Sequence, residues 1–143
     1  MSEPVNYLLD TNILSETRKK QPDWKVIEFL NDANAATLYV SVLTLGELRK
    51  GVAQKHRTDP VAAQKLAEWV DGLELSFADR IVGIDAATAR QWGEWSAERP
   101  RPVVDTLLAA TAFVHRFTLV TRNTKDMPKL PGRVHNPFSP FTA

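Results

Sequence analysis

Short apolar runs alternate along the chain with longer segments in which apolar residues recur every three or four positions. The first run, Val5-Asn6-Tyr7-Leu8-Leu9, ends at Asp10 and has the length and character of a buried strand. Ile13 and Leu14 predict a brief helical turn, the polar stretch 15–22 a loop, and Val26, Ile27, Phe29 and Leu30, behind a capping Asp23, a helix. A second strand is predicted over 38–42, followed by a helix from Thr44 towards His56 that carries Leu45, Leu48 and Val52 on one stripe. Asp59-Pro60 pairs a cap with a proline at the first helical position and opens a helix to about Gly72. A strand over 80–84 comes next, then a helix capped by Asp85 that contains Trp92 and Trp95 and is broken by the prolines at 100 and 102. The segment 103–115 predicts a further helix and 118–121 a fourth strand, and the proline-containing tail leaves room for one short edge strand around Val134.

Strands separated by helices join in parallel through right-handed crossovers, so the expected class is α/β: a mostly parallel central sheet of four to five strands with helices on both faces, one domain over 1–143. Ligands of such sheets gather beyond the carboxyl ends of the strands, which directs the search to residues just past Leu9, Val42, Ile84 and Val120. Composition narrows the partners. With 143 residues, 43% apolar and 24% charged, the chain suits an ordinary soluble domain, and 18 basic against 17 acidic residues give a net charge of +1. No global positive field advertises nucleic acid, so a site for it must be a local patch. Zero cysteines exclude a disulfide framework, a thiolate nucleophile and every Cys-based metal centre, and fit a reducing compartment. Without a basic leader or a long apolar stretch, the chain is expected to be cytoplasmic rather than secreted or membrane-spanning.

Three acids then stand out. Asp10 closes the first strand, where it can cap a helix or face a ligand. Glu47 falls beside Thr44 and Gly51, off the apolar stripe of its helix, where it is either solvated near Lys50 or borders a groove of small residues. Asp105 is the one charge in the segment 103–114, whose composition predicts burial nearly all round; such a carboxylate needs a backbone cap, a cation or a metal. Past the fourth strand, Asn123 and Asp126 offer a carboxamide and a carboxylate in one loop. Acids gathered at one sheet edge repel one another unless a cation holds them. Oxygen-only ligands point to Mg²⁺ or Mn²⁺, with His56, His115 and His135 placed elsewhere. Ions of this kind activate water for displacement at phosphorus. Four basic clusters lie near these positions, and from them Arg49, Arg101, Arg122 and Lys125 are candidate RNA contacts.

The ordered set Leu8-Leu9-Asp10-Thr11-Asn12, Glu47-Leu48, Asp105-x-x-x-Ala109-Ala110-Thr111-Ala112 and Val120-Thr121-Arg122-Asn123 resembles the PIN-domain nucleases, most closely VapC-type toxins of type II toxin–antitoxin systems. The resemblance runs from about residue 5 to Pro137 and implies a PIN-like three-layer sandwich. It implies that Asp10, Glu47 and Asp105 are catalytic acids and metal ligands, with Asn123 where the pattern has a fourth acid and Asp126 as its possible substitute. It further implies a Mg²⁺-dependent endoribonuclease, held inactive by a cognate antitoxin and dimeric. A haloacid-dehalogenase-type phosphatase would need a second aspartate at position 12, which is Asn12. The rival from another class is a PIN-like module that docks an antitoxin or RNA without cutting.

Overall fold

The computed structural model describes residues 4–124 and 130–140. Its five strands, β1 (Tyr7–Leu9), β2 (Leu38–Ser41), β3 (Ile81–Val82), β4 (Thr118–Val120) and β5 (Arg133–His135), form one sheet in the order β3-β2-β1-β4-β5. Every pairing is parallel, with Leu9 opposite Val40 on one side and Val120 on the other. Among the described residues six α-helices and a short 3-10 turn (Ala35–Thr37) join them: α1 (Thr11–Glu16), α2 (Trp24–Asp32), α3 (Val42–His56), α4 (Pro60–Ser76), α5 (Ala86–Glu98) and α6 (Val103–Val114). Alternation along each strand sorts the core into two layers. Leu9, Val40, Val120 and Ile81 face the side covered by α1 to α4, where Ile13, Val26, Leu48 and Val70 are buried. Leu8, Tyr39, Leu119 and Val82 face the other, packed by Trp95, Leu108, Ala110 and Ala112 of α5 and α6. The expected three-layer α/β sandwich is therefore present.

Boundaries shift in physically readable ways. The predicted loop over 15–22 begins two residues later, because Ser15 and Glu16 complete α1 and Glu16 is buried, bonding the Asp23 backbone N–H at 2.8 Å and Lys19 at 2.8 Å. Helix α4 runs past Gly72 to Ser76; the glycine sits on the exposed face, while Leu73 on the next position packs against the core. The expectation that the segment 103–114 is buried nearly all round holds at Thr106 and from Leu108 to Ala112 and fails at the ends, where Val103 and Phe113 are 57% and 40% exposed. Asp85 caps α5 through the Thr88 N–H at 2.8 Å and also pairs with His115 at 2.8 Å; those contacts hold its carboxyl below the usual range, the Thr88 bond contributing most. No helix among the described residues is long and apolar enough to cross a membrane.

The strand order reverses between β1 and β4, the point at which flanking helices leave to opposite faces and the carboxyl edge opens. Asp10, next after Leu9, and Thr121, next after Val120, stand at that opening.

Candidate active site

Asp10 reaches the opening because its own N–H continues the sheet ladder, donating to the Val120 carbonyl at 2.9 Å. Its side chain both caps a helix and belongs to a polar cluster. Oδ1 accepts the Thr11 N–H at 2.7 Å, and Oδ2 accepts the Thr121 hydroxyl at 2.8 Å and the Asn12 carboxamide at 3.3 Å. Thr11, on the first turn of α1, turns its hydroxyl the other way and donates to Glu47 Oε1 at 2.7 Å. Two carboxylates from β1 and α3 are thus linked through one threonine, which lies 36 residues from Glu47 in sequence. Glu47 is exposed beside the buried Thr44 and Leu48, so the helix presents it at the margin its spacing predicted.

Asn12 and Thr121 hold the floor. Thr121 is fully buried; besides donating to Asp10, its oxygen accepts the Asn123 N–H at 3.0 Å and the Asn12 Nδ2 at 3.3 Å. The Asn12 Oδ1 accepts the Arg122 N–H at 3.2 Å. All three residues of Asp10-Thr11-Asn12 therefore have work at this edge, and Asn123 is drawn into it through its backbone. Thr11, Asn12 and Thr121 had no role assigned from the sequence. The available signal was a polar residue directly after an apolar strand, a position that is buried and must find a partner.

Asp105 lies in the first turn of α6, half-buried, and the helix begins on Pro102, which has no side-chain cap to offer. The three residues between α6 and β4 return the chain to the opposite end of the sheet, so a helix running back over the strands brings its first turn towards the carboxyl edge. The helix dipole favours a carboxylate there. Among the described residues, no group of three or more Asp, Glu or His side chains is close enough to enclose a metal ion. The donor set nevertheless fits a hard divalent cation. It is oxygen-only, and the groups bonded to Asp10 and Glu47 are all neutral, with no lysine or arginine partner on either carboxylate among the described residues.

The candidate RNA contacts separate. Arg49 ties α3 to α4, bonding Asp71 at 2.6 Å and Glu74 at 3.0 Å; the Asp71 bond foremost pushes its pKa up. Arg101 is almost enclosed, its side chain 7% exposed, and donates to the Trp95 carbonyl at 3.0 Å and Glu98 at 3.3 Å. Arg122 lies at the site edge with its guanidinium 4.8 Å from the Phe138 ring centre. Lys125 and Asp126 fall outside the described residues.

Comparison with known proteins agrees with this topology. Residues 7–132 match the PIN domain model. The chain is 32% identical to Toxin FitB of Neisseria gonorrhoeae over 138 residues, covering 92% of this chain and 97% of that protein. It is 31% identical to VapC ribonuclease Y4jK of Sinorhizobium fredii over 143 residues, covering 93% and 98%. The crystal structure of FitAcB from Neisseria gonorrhoeae superposes with a TM-score of 0.82 at 30% identity, over 92% of this chain and 97% of that one. With the switch-point carboxylates, the sheet order and the match agreeing, the chain belongs to the PIN-domain family and is homologous to the VapC/FitB-type toxins of toxin–antitoxin systems.

Proposed function

We propose that this chain is a divalent-metal-dependent endoribonuclease and the toxin of a toxin–antitoxin pair. The observation that carries the proposal is the Asp10–Thr11–Glu47 link at the sheet's switch point, two carboxylates held in place by neutral donors and without a basic partner among the described residues. Asp10, Glu47 and Asp105 are the residues that would hold Mg²⁺, or Mn²⁺ in its place. Such an ion supplies Lewis-acid activation of water and stabilises charge developing on the phosphoryl group. The chain's own contribution is positional. Thr11 and Thr121 hold Glu47 and Asp10 by hydrogen bonds, and the Asn123 carboxamide, where the PIN pattern has a fourth acid, would orient a water. A neutral residue there leaves three formal negative charges and favours one tightly held ion over two.

RNA as substrate is supported by the relative named a ribonuclease, and an antitoxin partner by the relative named a toxin. We take the inhibitor to place an Arg or Lys among the acids, where charge pairing supplies affinity, and the working unit to be a homodimer in the cytoplasm. The alternative, a PIN-like module that docks RNA or an antitoxin without cutting, draws on the lack, among the described residues, of a three-acid group close enough to enclose an ion. Antitoxin-free protein incubated with single-stranded RNA distinguishes them. The nuclease cuts with Mg²⁺, stops with EDTA, leaves 3′-hydroxyl and 5′-phosphate ends, and is silenced by Asp105→Asn. Uncut RNA would establish the module, and 2′,3′-cyclic phosphate ends would overturn attack by water.

A further inference from the structure

At the end of α6 remote from Asp105, a pocket of about 640 Å³ is lined by Val5, Phe113, Arg116, Phe117, Gly132 and Arg133, with Pro4 at its rim. Among the described residues no carboxylate lines it, and neither Arg116 nor Arg133 has an ion-pair or side-chain hydrogen-bond partner. The backbone singles out the same place. Among the described residues, two have positive φ, Arg116 at 60° and Gly132 at 123°, and both border this pocket. Arg116 occupies the left-handed position that ends a helix. The Phe117 N–H bonds back to the Ala112 carbonyl at 2.8 Å and the Arg116 N–H to Phe113 at 3.3 Å, a closure at which glycine or asparagine is the unstrained choice. An arginine kept there against its backbone preference points to use of its side chain. Gly132 passes over Phe113, where an added Cβ would meet the ring at 3.8 Å, and Phe113 as a residue remains 40% exposed.

We infer that this pocket is a second nucleic-acid contact, in which Arg116 and Arg133 clamp the phosphate of a single strand and Phe113 offers a face to a base. Guanidinium pairs suit phosphate, and an aromatic face beside them suits an unpaired base more than an acidic peptide. Arg116 stands eleven residues beyond Asp105, about 16 Å along the helix axis, so an RNA with one phosphate at the carboxyl edge reaches the pocket within a few nucleotides. The identification of the strand as substrate RNA rests on the ribonuclease proposal; the pocket's binding does not.

The test uses the full chain with Asp10→Asn, in EDTA, titrated with a fluorescently labelled single-stranded RNA of mixed sequence at several salt concentrations. Combining Arg116→Gly with Arg133→Gln should weaken binding roughly tenfold or more and reduce the salt slope by about 0.7, as for one phosphate no longer neutralised. Arg116→Gly alone should raise Tm by about 2–4 °C, reporting relief of the left-handed arginine independently of any ligand. Unchanged RNA affinity and slope in the double variant would overturn the proposal, as would intact RNA binding with loss of antitoxin co-purification, which would assign the pocket to a protein. A lowered Tm for Arg116→Gly would overturn the strain argument. If the pocket-dependent slope appears while the wild type cuts no RNA, the second contact stands and the nuclease proposal falls.

Discussion

Thr121→Val removes one hydroxyl and keeps the shape of a fully buried side chain, which isolates what that oxygen does. Three bonds disappear: the one donated to Asp10 Oδ2 at 2.8 Å and the two accepted from the Asn123 N–H at 3.0 Å and Asn12 at 3.3 Å. The first is charge-assisted and worth about 1.5–3 kcal/mol, and leaving a backbone N–H in a partly buried setting without its acceptor adds about 1 kcal/mol. The bond to Asn12 is long and contributes least. The expected loss is therefore about 2–4 kcal/mol, or a fall in Tm of about 4–16 °C for a chain of this length. Urea unfolding checks it, because the midpoint should fall with an unchanged m-value. Thr121→Ser keeps the hydroxyl and should recover most of the loss. In cleavage assays Thr121→Val should lower kcat more than it raises KM, since Asp10 is still present but no longer fixed. A valine variant within about 0.5 kcal/mol of the wild type would mean that the hydroxyl does not hold Asp10 in place.

Glu16→Gln should destabilise the fold by about 1–2 kcal/mol at neutral pH. Burial pushes the Glu16 carboxyl up, but its bonds to Lys19 and the Asp23 N–H outweigh that and hold it below its ordinary 4.5. The stabilisation is present above the unfolded-state value and lost as pH falls through the folded one, so melts of wild type and variant should diverge above pH 4.5 and converge as pH falls below it. Arg80→Ala should cost about 2–4 kcal/mol by calorimetry, since the guanidinium donates to the carbonyls of Ala35, Leu38 and Ser76 and so joins β2 to the end of α4. Arg49→Ala should cost about 1 kcal/mol or less in a denaturant titration, because its pairs with Asp71 and Glu74 are more than one-third exposed.

Much of the architecture was legible because strand and helix periods differ. The runs at 7–9, 38–41 and 118–120 and the caps Asp23, Asp59 and Asp85 announce themselves in the residue order. Gly72 misled because a glycine ends a helix only when the chain turns there, and Leu73 has a core to reach. Site residues were legible as types and positions but not as partners. Asp10 could be read as cap or ligand-facing acid, and the structure gives it the cap bond and the cluster bonds together. Arg49 looked available in a basic pair, yet its partners sit 22 and 25 residues away on α4, a relation that charge patterning along one segment cannot carry. Thr121 and Glu16 were hidden for the same reason. Each is a polar residue whose burial depends on what another element places against it.

The proposed metal site is tested most sharply by calorimetric titration of the antitoxin-free chain with Mn²⁺. If Asp10, Glu47 and Asp105 form one hard-oxygen site, the wild type takes up a single tightly held ion, and Asp10→Asn, Glu47→Gln and Asp105→Asn each abolish the uptake. Uptake by the wild type that survives Asp105→Asn unchanged, or no uptake at all, would rule out a site shared by the three acids.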